Sequence, residues 1–244
     1  MCLRRLCECD APGEYYIDSV TGLLLFLSPR EDGRILDSDV IVVSVNESAV
    51  QLQQGVNNSD GTRSPAAVKF ERLSIGFALN NAVDVAVYTA DQQDPAMAHS
   101  GIYGNASVRF DNCTFLNVGQ TAARLSGNGF GANRLLLENS VIKNAGCGGS
   151  MLSGGDGTWL THSGVVLSGN VFRNFSRRKR TNAPAVGWTG VGHVIRGNVV
   201  EGSPHAALMG TGNDCLFESN ILRDSAYECD DSGALCEFHR SYDL

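Results

Sequence analysis

Phe110-Asp111-Asn112-Cys113-Thr114-Phe115-Leu116-Asn117 is a phrase that this chain repeats. It returns as Leu137-Glu138-Asn139-Ser140-Val141-Ile142-Lys143-Asn144 and as Leu167-Ser168-Gly169-Asn170-Val171-Phe172-Arg173-Asn174. Two more copies are Ile195-Arg196-Gly197-Asn198-Val199-Val200-Glu201-Gly202 and Phe217-Glu218-Ser219-Asn220-Ile221-Leu222-Arg223-Asp224. A weaker copy, Phe70-Glu71-Arg72-Leu73-Ser74-Ile75-Gly76-Phe77, precedes them. Successive copies start 40, 27, 30, 28 and 22 positions apart, the period range of solenoids. In each copy apolar residues flank a polar pair, which predicts two short strands with a bend between them. The apolar positions do not recur at three and four, as a helix would require.

A further short strand follows each copy: Ala122–Leu125, Ser150–Leu152, Ala185–Trp188, Ala206–Met209 and Gly233–Cys236, with Gly-rich turns after it. Such a unit cannot bury its own apolar face. Stacked coils bury it and pair each strand with its equivalents above and below. Asn170, Asn198 and Asn220, with Ser140 and Cys113 before them, then fall in one column. Amides stacked at the ~4.8 Å strand spacing can bond to one another and to turn backbone. The fold class expected is all-β, a right-handed parallel β-helix.

The first 60 residues read differently. Gly13–Asp18 alternates, Val20-Thr21-Gly22 turns, and Leu23–Leu27 runs as a strand, which is a hairpin signal. Asp39–Val45 reads as another strand, and the polar run Gln51–Ser64 as a loop or linker. The interval 78–107 reads as an excursion from one coil. The organisation expected is a β-rich N-terminal segment over 1–60 and a parallel β-helix over 61–244.

The 244 residues carry a net charge of −7 and are 43% hydrophobic. That charge argues against a nucleic-acid binder working through global charge. The hydrophobic content excludes disorder, and the lack of any run of 18 apolar residues excludes a transmembrane helix. Met1–Asp10 contains no apolar stretch of a secretory signal. Cys2, Cys7 and Cys9 lack the second ligand pair of a zinc site, so neither metal nor cofactor is expected. The sequence says nothing of oligomeric state.

The phrase Gly13-Glu14-Tyr15-Tyr16-Ile17-Asp18 with Thr21-Gly22-Leu23-Leu24 resembles the hairpin before the solenoid in a large group of right-handed parallel β-helix proteins. The order Ala183-Pro184-Ala185-Val186, Gly190–Asn198, Pro204-His205-Ala206-Ala207-Leu208, Gly212-Asn213-Asp214, Glu218-Ser219-Asn220 and Asp230-Asp231-Ser232-Gly233-Ala234 is similar to that group's best-kept stretch. The group is pectate-lyase-like in fold. The resemblance implies a carbohydrate-active protein, glycoside hydrolase-like of the β-xylosidase type, acting on a plant- or algal-type polysaccharide or oligosaccharide. A non-catalytic glycan- or partner-binding module, or a polysaccharide lyase or epimerase, is the alternative. It also implies an extracellular or cell-surface location. Members run on with more coils and an aromatic or basic pattern after Asp-Ser-Gly-Ala. Cys236-Glu237-Phe238-His239-Arg240 begins that pattern, so the β-helix is expected to be incomplete at its C-terminus.

Aligned coils place Ser176–Pro184, Ser203–His205 and Ser225–Ser232 at equivalent turns. Arg177, Arg178, Lys179, Arg180, His205, Glu228, Asp230 and Asp231 therefore share one edge of the stack. In the resembling glycosidases the Asp of Asp-Ser-Gly-Ala is a catalytic carboxylate, which implies Asp231, with Asp230 and His205 beside it. Glycoside hydrolysis needs two carboxyl groups. The bare residues favour a turn cap for Asp231 and a satisfied half-buried histidine for His205. The Arg177–Arg180 block suits an anionic sugar or is a solvated loop. Asn213, Asp214, Glu228, His239 and Arg240 complete the expected substrate-binding set, though Gly-Asn-Asp is also a turn formula.

Overall fold

The computed structural model describes residues 15–18, 20–30, 32–37, 44, 46, 48–54, 67–87, 107–127 and 134–238. The chain divides into two compact units, 1–42 and 43–244. In the first, β1 (Tyr15–Ile17) pairs antiparallel with β2 (Leu24–Phe26). The Asp18 carboxylate closes the connection by accepting the Val20 and Thr21 N–H groups at 2.9 and 3.4 Å. Gly22 follows at φ +72°, a value glycine adopts without strain. The hairpin read from the sequence is therefore present.

The second unit opens with β3 (Ser48–Gln54) and then makes coils of three strands. The first coil is β4 (Ala67–Glu71), β5 (Ser74–Gly76) and β6 (Asn81–Val87). The second is β7 (Ser107–Asp111), β8 (Thr114–Val118) and β9 (Ala123–Gly127). The third is β10 (Arg134–Glu138), β11 (Val141–Ala145) and β12 (Ser150–Gly154). The fourth is β13 (Val165–Ser168), β14 (Val171–Arg173) and β15 (Val186–Val191). The fifth is β16 (Val194–Arg196), β17 (Val199–Ser203) and β18 (Leu208–Asn213). The sixth is β19 (Leu216–Glu218), β20 (Ile221–Ser225) and β21 (Leu235–Glu237).

Equivalent strands stack in register into three parallel sheets of 6, 6 and 7 strands, so the molecule is an all-β parallel β-helix. No helix among the described residues is long and apolar enough to cross a membrane. The core lies between the sheets as columns of like residues. Phe70, Phe110, Leu137, Leu167, Ile195 and Phe217 form one column. Its first two rings stack with centroids 4.7 Å apart. Ile75, Phe115, Ile142, Phe172, Val200 and Leu222 form the column of the second sheet.

The bend inside each copy has one construction. Arg72, Asn112, Asn139, Gly169, Gly197 and Ser219 all have positive φ, between +49° and +66°. The residue after each turns inward in all but the first copy, where Leu73 is 47% exposed. At the inward positions the expected column forms: the Asn198 side-chain oxygen accepts the Asn170 backbone N–H and amide, both at 3.0 Å. Asn220 does the same for Asn198, again at 3.0 Å. Asn170 serves the Ser140 N–H, and Ser140 Oγ serves the Cys113 N–H, each at 3.0 Å. The amides donate in turn to the buried carbonyls of Leu137, Leu167 and Ile195.

Two readings of the sequence change. Gln51–Gln54 is strand, not loop: Val50 and Leu52 alternate with glutamines and sit in register with Val83 and Val85. The rest of that polar run lies outside the described residues. Asn81–Val87 is a regular coil strand rather than part of an excursion, and 88–106 lie outside the described residues. So does the strand read at Asp39–Val45, except for Ser44.

Candidate functional site

Each coil has a second turn, which leads from the second sheet to the third. In the third coil it is short, Gly146–Gly149, while in the fourth it widens to hold the basic block. That long turn folds back on the third coil. The N–H groups of Arg177, Arg178 and Lys179 donate to the carbonyls of Ala145 and Gly146 at 2.7–3.2 Å, and Ser176 N–H donates to Cys147. The Ser176 hydroxyl closes the loop on the Ala183 carbonyl. Arg178 reaches further back, its guanidinium 3.4 Å from the Gly119 carbonyl. Here Gln120, Cys147, Arg178 and Lys179 line an open cavity of about 360 Å³.

Arg180 points the other way along the stack. Its guanidinium makes a two-pronged ion pair with Glu228 of the sixth coil, one prong at 2.9 Å. It also donates to the Tyr227 hydroxyl at 3.1 Å and lies 5.8 Å from that ring's centre. Arg180 holds the Glu228 carboxyl below the usual carboxylate range, and Glu228 raises the Arg180 guanidinium further. The turn thus spans from the second coil to the sixth, and it separates the basic residues expected together.

Beside the Arg180–Glu228 pair, the second turns of the fifth and sixth coils meet. A ring nitrogen of His205, Sγ of Cys229 and a carboxylate oxygen of Asp231 lie within 4.8 Å of one another. The Cys229 thiol donates to Asp231 at 3.0 Å. That hydrogen bond to the carboxylate pushes the thiol above its usual range. His205 is half-buried. Its Nδ1 is closed off from solvent with no hydrogen-bond partner among the described residues. Asp230 is exposed on the same turn.

Asn213, the last residue of β18, and Asp214 are elsewhere, where the third sheet leads into the next coil. Asp214 faces His162 at 3.8 Å, both side chains more than half exposed. His239 and Arg240 lie outside the described residues. Reading the sequence missed Gln120, Cys147, Tyr227 and Cys229. Cys229 was within reach, because the coil alignment already laid Ser225–Ser232 against Ser203–His205. Gln120 and Cys147 had no such signal, since the doubling back of the long turn is invisible in a repeat.

Compared with models of protein families, with curated proteins and with solved structures, the chain matches none.

Proposed function

We propose that the chain is a carbohydrate-active β-helix protein that holds an acidic polysaccharide, of the uronate-bearing kind, against its second-turn edge. The observation that carries this reading is the cavity of about 360 Å³ lined by Gln120, Cys147, Arg178 and Lys179. Its size lies within the range of small-ligand sites. It offers two cations and a side-chain amide in a protein of net charge −7, which is a local choice against the overall charge. Arginine pairs planar with a carboxylate, and lysine adds a point charge. The sequence resemblance to pectate-lyase-like β-helix proteins supports the same substrate class and an extracellular or cell-surface setting.

Holding the polymer is favoured over cleaving it. Glycoside hydrolysis needs two carboxyl groups at opposite sides of the scissile bond. Glu228 is taken by Arg180, and Asp231 accepts the Cys229 thiol. Hydrolysis at Asp231 is the second reading, favoured by the gathering of His205 and Asp231 at one point.

Electrophoresis of the chain through gels containing pectate, alginate or neutral xylan tests this. The acidic polymers should retard it, less so as salt rises, and Arg178→Ala with Lys179→Ala should remove most of the retardation. Equal migration in every gel sinks the reading. New reducing ends that vanish in Asp231→Asn would establish a hydrolase instead, and unsaturated-product absorbance a lyase.

A further inference from the structure

The meeting of His205, Cys229 and Asp231 brings imidazole, thiol and carboxylate to one point. The backbone fixes both sides of it. Ala226 N–H donates to the His205 carbonyl and Glu228 N–H to that of Pro204, both at 3.0 Å. The Arg180–Glu228 pair pins the same turn from outside. Cys229 is a free thiol. A buried imidazole nitrogen without a partner among the described residues, as at His205 Nδ1, loses its hydration and gains nothing in return.

We propose that His205, Cys229 and Asp231 form a zinc(II) site with three protein ligands and a fourth position open to water. The donor set selects the metal. Calcium and magnesium take oxygen ligands, whereas one nitrogen, one thiolate sulfur and one carboxylate oxygen suit borderline-soft zinc. Zinc bonds of ~2.3 Å to sulfur and ~2.0 Å to nitrogen and oxygen place tetrahedral ligand atoms roughly 3–4 Å apart. Sulfur and carboxylate oxygen already stand 3.0 Å apart, so a shift of about 1 Å closes the triangle. On binding, the Cys229 thiol releases its proton to solvent, and the S–H to carboxylate hydrogen bond gives way to two bonds to one ion. The ion would tie the fifth coil to the sixth. This site uses none of Gln120, Arg178 or Lys179, so it stands whether or not the polysaccharide reading does.

The test is a metal titration of the full chain with Cys2, Cys7 and Cys9 replaced by serine, which removes the competing N-terminal thiols. Cobalt(II) should bind one ion per chain and give a thiolate-to-cobalt charge-transfer absorption that zinc(II) then abolishes. Cys229→Ser should lose that absorption while Cys147→Ser keeps it. His205→Ala and Asp231→Asn should each weaken zinc binding at least about tenfold. Circular dichroism confirms that each variant retains its strands. If Cys229→Ser fails to fold, Asp231→Asn, altered at an exposed side chain, carries the comparison. The proposal is overturned if the folded parent shows no charge-transfer band, if the band survives Cys229→Ser, or if Asp231→Asn binds zinc as tightly as the parent.

Discussion

His193 is fully buried between Ser163 and Thr189. Its Nε2 lies 3.0 Å from the Thr189 carbonyl, which can only accept, so Nε2 carries the proton. Nδ1 then accepts from the Ser163 hydroxyl at 2.8 Å. That hydroxyl accepts the Val165 N–H in turn, at 3.2 Å. This neutral tautomer is what the fold needs, and burial pushes the His193 pKa below its usual value. The unfolded chain takes up the proton near the ordinary histidine pKa of ~6.5, before the native state does. His193 therefore contributes stability that is present above that pH and lost as pH falls below it. Unfolding free energies measured from pH 7.5 to 5.5 should fall with acid, by up to about 1.4 kcal/mol per pH unit from this group. His193→Gln should flatten that slope. An unchanged slope in the variant would mean that other groups set it.

At the scale of the element, two ladders run along the second sheet and differ in worth. The inner one joins Asn170, Asn198 and Asn220 to buried backbone. Asn198→Ala leaves the Asn170 N–H without its acceptor, takes the same acceptor from the Asn170 amide and removes the amide donor to the Leu167 carbonyl. At about 1–3 kcal/mol for each orphaned group, urea unfolding should show a loss of about 3 kcal/mol or more. The outer ladder links Asn117, Asn144 and Asn174 through amides at 2.7 and 2.8 Å. All three have positive φ, between +49° and +59°, so Asn144→Gly keeps the backbone and should cost under about 1 kcal/mol. Similar losses in both variants would refute the distinction. The inner column was legible in the sequence because a polar residue held in an apolar phrase has to be paired. The outer one was not, since an asparagine at the end of a strand reads as any turn residue. The third-sheet strands carry a related column, Gly127, Gly154, Gly190 and Gly212. A Cβ on Gly154 would overlap the Gly127 carbonyl oxygen, and its φ of +110° disfavours any other residue. Gly154→Ala should therefore destabilise by more than about 4 kcal/mol, read by the same unfolding. Glycine-rich composition gave a turn reading here; the need for close approach between coils appears only once the coils are stacked.

Among the described residues the strands of each coil pair with those of the adjacent coils, so stability accumulates along the stack and opening begins at an end. Among the described residues the sixth coil has neighbouring strands on one side. Its apolar residues are correspondingly open, Leu216, Ile221 and Leu235 each being 45–49% exposed. What crosses to it from a distance is Arg180, which leaves the fourth coil, passes the fifth and grips Glu228 and Tyr227. The size of the fourth coil's second turn thus has a structural use apart from its charge: one arm braces the end of the stack while the other lines the cavity. The repeat predicted the coils and their shared edge, but not this division, because reach along the stack depends on how an irregular insertion folds. Exposed ion pairs are weak, so Arg180→Ala should leave the global unfolding midpoint nearly unchanged. Its effect belongs to local opening. Amide hydrogen exchange over 216–237 should quicken roughly two- to fivefold, with 107–127 unaffected. Uniform quickening along the chain would instead make the basic turn part of the global fold. No change at the sixth coil would show that the backbone bonds of Ala226 and Glu228 to the fifth coil hold it without the brace.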